Sequence, residues 1–157
     1  MKSNVTIILR ADADESIGAG HVMRCATLAD EMCRLGFEVY LVGRGIRQLP
    51  AGLIHSSVRV IDYPSAQSGR AADALYLLGL EPDLLVVDGY HFDHDFFRVI
   101  EDTKTPYVVF DDNGETRAPH PSVVINQNSD EPLERYSGFS DRTTLLLGPQ
   151  YAQIRRE

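Results

Sequence analysis

Six short runs of apolar, mostly β-branched or aromatic residues constrain this chain more than any other feature. They lie at 5–9, 38–42, 58–63, 84–88, 107–110 and 123–125, and helix-length or loop-like segments separate them. The runs are nearly continuous rather than alternating. That pattern suits strands of a parallel sheet that is covered on both faces. Between the first two runs, Val22, Cys25, Ala26, Ala29, Met32 and Cys33 recur at three-to-four spacing, which predicts a helix over 22–35 stopped by Gly36. Shorter helices are expected over 71–78 and 93–102, the second with Asp93 as its N-cap. Strand alternating with helix implies an α/β domain: a Rossmann-like open parallel sheet with right-handed crossovers.

Composition bounds the function. At 157 residues and 43% hydrophobic, the chain can bury a core without metal or disulfide staples. Its 15 basic and 23 acidic residues give a net charge of −8, a poor electrostatic match to nucleic acid or anionic lipid. No apolar run approaches the length of a membrane span, and no signal-peptide pattern follows Met1. Cys25 and Cys33 lie two helical turns apart, too far to pair, so packing is their expected role. With so few cysteines, a cytoplasmic setting is expected, with neither nucleic acid nor membrane as partner.

In such folds ligands bind beyond the carboxyl ends of the strands, so the residues after each strand carry the chemistry. The first run leads into Arg10-Ala11-Asp12-Ala13-Asp14 and then Gly18-Ala19-Gly20-His21. Its glycines let the main chain approach a ligand, and the helix start offers free N–H groups to an anion. The dinucleotide fingerprint needs a third glycine where Met23 stands, the second strand ends at Val42-Gly43-Arg44 without an acid for a ribose, and no lysine-bearing P-loop exists. No nucleotide cofactor is therefore expected. His21, at the positive end of a helix dipole, is a candidate general base in its neutral form, or else a helix-start residue bonding locally. Asp12 and Asp14 would orient His21 or solvate the loop.

Further along, Asp88 and Tyr90 end the fourth strand, Asp111 and Asp112 the fifth, and Asn126 and Asn128 the sixth. His91 and His94, beside Asp93 and Asp95, have two-ligand spacing for a metal but no evident third ligand, so a polar, capped loop is expected and no metal.

Taken in order, Arg10-x-Asp12, Ile17-Gly18-x-Gly20-His21-x-x-Arg24-Cys25, Val87-Asp88-x-Tyr90, Phe110-Asp111-Asp112, Asn126-Gln127-Asn128 and Leu147-Gly148-Pro149-x-Tyr151-Ala152-x-Ile154-Arg155-x-Glu157 resemble the UDP-sugar hydrolases of the pseudaminic acid pathway and their relatives in spore-coat polysaccharide synthesis. The resemblance spans essentially the whole chain. It implies the N-terminal half of a glycosyltransferase-B-like fold: residues 1–150 as the domain carrying the catalytic loop, and 151–157 as the start of a linker to a C-terminal nucleotide-binding domain. It implies hydrolysis of a UDP-linked 2,4-diacetamido-2,4,6-trideoxyhexose, with His21 activating water and no metal. Asp12, Gly18, Gly20, Arg24, Asp88, Tyr90, Asp111, Asn126 and Asn128 would then line the substrate site. A glycosyltransferase half-domain shares this architecture and would pass the sugar to an acceptor. A non-catalytic sugar-binding domain would bind without turnover.

Overall fold

The computed structural model describes residues 5–16, 18–64, 68–129, 134–139 and 141–154. Seven strands form one sheet: β1 (Thr6–Ala11), β2 (Glu38–Gly43), β3 (Arg59–Asp62), β4 (Leu84–Asp88), β5 (Tyr107–Phe110), β6 (Val123–Asn126) and β7 (Thr144–Leu147). Every pairing is parallel, and the order is β3-β2-β1-β4-β5-β6-β7. The first three strands step outward in one direction and the chain then returns to place β4 beside β1. That reversal is the topological switch point, where open α/β sheets leave a crevice.

Among the described residues three α-helices accompany the sheet: α1 (Gly20–Arg34), α2 (Ala71–Leu78) and α3 (His94–Asp102). α1 ends where the sequence places the stop: Gly36 takes the left-handed conformation (φ +90°) and Phe37 N–H reaches back to the Met32 carbonyl. Asp93 caps α3, its carboxylate accepting from Phe96 N–H at 2.9 Å. No described helix is long and apolar enough to cross a membrane.

The sheet divides the core in two. On one face Ile7, Leu9, Ala11, Val86 and Phe110 pack with Val22, Cys25, Ala26 and Ala29 of α1. On the other, Ile8, Leu85, Val87, Val109 and Val124 pack with Leu77 of α2 and Phe96, Phe97 and Ile100 of α3. Strand side chains alternate between faces, so a residue's place in that alternation decides which layer it joins. Cys25 is fully buried, Cys33 half-buried, and both are free thiols. β7 extends the sheet past the six expected runs. Its half-exposed Leu-rich segment pairs with β6 at the edge, and Gly148 N–H continues that ladder to the Asn126 carbonyl.

Candidate functional site

At the switch point, α1 begins directly above the carboxyl end of β4. Ala19, at the N-cap, makes no side-chain cap bond, and no acidic residue stands in the first turn. His21 and Arg24, one turn apart, both face the end of β4. There Asp88, fully buried, accepts from His21 Nδ1 at 2.7 Å and from Arg24 Nη2 and Nε at 2.6 and 2.7 Å. Arg24 also donates to Asp112 through Nη1 (2.6 Å) and Nη2 (2.9 Å), and its guanidinium lies 4.4 Å over the Phe110 ring. One guanidinium thus joins two carboxylates from adjacent strand ends.

This arrangement sets the tautomer of His21. Arg24 Nη2 lies 3.4 Å from Nδ1, too long to compete with the 2.7 Å contact to Asp88, so Nδ1 carries the proton and donates it. Nε2 then holds the lone pair, and it has no hydrogen-bond partner among the described residues. Tyr90 stands edge-on to the imidazole at 4.9 Å and donates its hydroxyl to Asp112 at 3.1 Å. Burial and the nearby Asp112 carboxylate push the Tyr90 phenol up, which keeps it a donor. Burial alone would raise the Asp112 carboxyl, but hydrogen bonds and charge from Arg24 outweigh it and hold it below the usual carboxylate range. Arg24 is pushed up the same way: burial opposes its charge, and Asp88 and Asp112 more than compensate.

A cleft of about 560 Å³ opens over this group, lined by Gly20, His21, Arg24, Tyr90 and Asp112, with Met23, Thr27, Gln127 and Gln153 around them. Of the residues the sequence nominates, Gly20, His21, Arg24 and Tyr90 line it. Asp88 lies beneath it, sealed from solvent, as the group that orients the histidine. Gly18 sits outside the lining and closes the preceding loop through its N–H to the Asp14 carbonyl. Asn128 is exposed, 3.4 Å from the Asp112 carbonyl.

Asp12, Asp111 and Asn126 depart from expectation for one reason. Along β1, Ile8 and Arg10 face α2 and α3, and Asp12 continues that phase. It is buried in a charge network: Arg10 and the Ser68 hydroxyl donate to it, Arg44 N–H reaches it at 2.7 Å, and His91 Nε2 at 3.1 Å. Arg10, itself fully buried, also pairs with Asp73 of α2 at 2.8 Å. Asp12 therefore does not orient His21, and neither does the exposed Asp14, which caps Ser16 N–H. Asp111 and Asn126 likewise fall on the α3 side of β5 and β6. Asn126 donates to the Tyr136 hydroxyl at 3.1 Å, and Asp111 Oδ1 accepts from Glu115 N–H at 2.8 Å. Asp112, one residue on, takes the cleft position instead. His91 serves the Asp12 network and His94 is exposed. Among the described residues no group of three metal-ligating side chains converges.

No family model matches the chain. An uncharacterized protein of Methanocaldococcus jannaschii is 21% identical over 158 aligned residues, covering 96% of this chain and 31% of the archaeal protein. Among solved structures, a UGT transferase from Siraitia grosvenorii in complex with UDP superimposes with a TM-score of 0.44 at 16% identity, covering 69% of this chain and 28% of that one. The chain thus spans about a third of the length of each.

Proposed function

We propose that this domain supplies the catalytic base of a UDP-sugar hydrolase acting on a UDP-linked 2,4-diacetamido-2,4,6-trideoxyhexose. The observation that carries the reading is the His21–Asp88 pair at the switch point, with Nδ1–H fixed on a buried carboxylate and Nε2 left as the acceptor beside an open cleft. Water held at Nε2 attacks the anomeric carbon. The carbon–oxygen bond to the diphosphate breaks, its electron pair leaves with UDP, and the water proton passes to Nε2. Asp88 stabilises the imidazolium so formed.

The charges around the histidine suit this chemistry. Asp88 and Asp112 against Arg24 leave one net negative charge beside the place where positive character develops at the anomeric centre. That surplus, and an Arg24 already engaged by two carboxylates, make this a poor cradle for a diphosphate. The nucleotide grip is accordingly assigned to a second, C-terminal domain of the same protein, as the sequence resemblance implies.

Phosphorus NMR tests the reading. The UDP-linked diacetamido sugar is incubated with the protein carrying its C-terminal nucleotide-binding half, in buffer free of amine or alcohol acceptors. Release of UDP and free sugar is the expected result. UDP release that waits for an added acceptor would replace hydrolysis by glycosyl transfer, and saturable binding without release would replace it by a sugar-binding role.

A further inference from the structure

A second cavity, of about 320 Å³, lies beyond Tyr90 on the α3 side of β4 and β5. Phe92 and Phe97 supply apolar walls, while Asp111, Glu115, Thr116 and Arg117 supply polar ones. Asp111 is only 3% exposed, and its Oδ2 has no hydrogen-bond partner among the described residues. A buried carboxylate oxygen without a donor costs free energy, and native proteins rarely keep one without a use for it. Tyr90 lines both cavities, so one ligand that passes its ring reaches from His21 to Asp111.

We infer that this second cavity is a subsite for a neutral substituent of the ligand in the His21 cleft, one that donates a hydrogen bond to Asp111 and lays an apolar portion against the phenylalanine rings. The inference rests on the nucleotide-sugar reading and adds to it the residues that select the sugar. The shared chemistry is an uncharged donor, because the sugar substituents of the substrate proposed above are amides and hydroxyls. Asp111 and Glu115 against Arg117 leave one net negative charge on this wall, which suits a donor. An amide N–H and a hydroxyl are its two sources. Thr116 and Arg117 would then donate to the carbonyl or second oxygen of that substituent.

The test is amide-shift mapping by NMR on the isotope-labelled protein carrying its C-terminal nucleotide-binding half, with UDP-N-acetylglucosamine, UDP-glucose and free N-acetylglucosamine as probes. The expected result is that UDP-N-acetylglucosamine moves the Glu115, Thr116 and Arg117 signals together with those of His21, Met23 and Arg24. Asp111→Asn should weaken binding about tenfold and abolish the first set of shifts while leaving the second. Tighter binding of the acetylated sugar assigns the donor to the amide, and equal binding of the two, both weakened by the variant, assigns it to a hydroxyl. Arg117→Ala changes an exposed residue and provides a variant that folds whatever the fate of Asp111→Asn; it should weaken binding about threefold. Shifts confined to His21, Met23 and Arg24, with unchanged affinity in both variants, overturn the subsite and leave the nucleotide-sugar reading standing. No shift with either UDP-sugar overturns that reading, and silence at 115–117 with free N-acetylglucosamine as well overturns the subsite too.

Discussion

Removing Arg24 exposes the logic of the site most sharply, because a single side chain there satisfies two carboxylates. Arg24→Ala deletes four charge-assisted hydrogen bonds of 2.6–2.9 Å, two to Asp88 and two to Asp112. The Asp88 side chain is 0% exposed and that of Asp112 13%, so neither regains full hydration. Breaking a buried pair by removing one partner costs about 3–5 kcal/mol. Asp88 keeps His21 and Asp112 keeps the Tyr90 hydroxyl, which places the expected loss at the lower end, about 3 kcal/mol. For a domain of this size that lowers Tm by roughly 6–12 °C. The pH dependence has a definite sign. Asp112 has a depressed folded-state pKa, so its contribution is full above the unfolded value of about 4 and is lost as pH falls through the folded one. The gap between wild type and variant should therefore be widest near neutrality and narrow toward acid. Urea denaturation at neutral pH and at about pH 2.5, below the unfolded carboxylate value, measures both. Arg24→Lys keeps the charge but not the double fork and should recover about half the loss. A neutral-pH loss under about 1 kcal/mol, or a gap that widens toward acid, would refute the keystone role.

The opposite face gives two further expectations. Burial alone would raise the Asp12 carboxyl, yet hydrogen bonds from His91, Arg10 and Ser68 hold it far below the usual range. The stabilisation from Asp12 is therefore full above about pH 4 and declines below it, and Asp12→Asn should cost about 3 kcal/mol at neutral pH while flattening that acid decline in denaturation curves. Gly89 has φ +153°, and an added Cβ would lie 3.0 Å from His91 Cε1 and from Phe92 Cε2. Gly89→Ala should cost about 1–2 kcal/mol by thermal melting and broaden the NMR signal of neighbouring Tyr90; an unchanged melt would show that the turn relaxes freely.

Much of the fold was legible because its signals are local. The runs at 84–88 and 107–110 and the helical segment at 71–78 match β4, β5 and α2 residue for residue, since β-branched clusters and a glycine stop act within a few residues. β7 escaped notice because four residues at a sheet edge gain their structure from β6 rather than from their own sequence. In the site, the Gly-x-Gly-His loop marked His21 and Gly20, and the resemblance marked Arg24. Asp12, Asp111 and Asn126 lie away from the His21 cleft for a shared reason. A strand end offers two faces, and only the docking of α1 tells which one opens on the cleft. With α1 docked, alternation along each strand puts Asp88 and Asp112 on its side and those three on the other. Gln153 depends on a still longer return of the chain past β7, which no local pattern records.

In the proposed hydrolysis His21 Nε2 takes the proton from water in the chemical step. Turnover of the UDP-linked diacetamido sugar by the protein carrying both halves, compared between wild type and His21→Asn, tests it most directly. Asparagine retains a group able to reach Asp88 but offers no base toward the cleft. The variant's kcat should fall at least about a hundredfold with little change in substrate affinity. Near-normal kcat in the variant would contradict it.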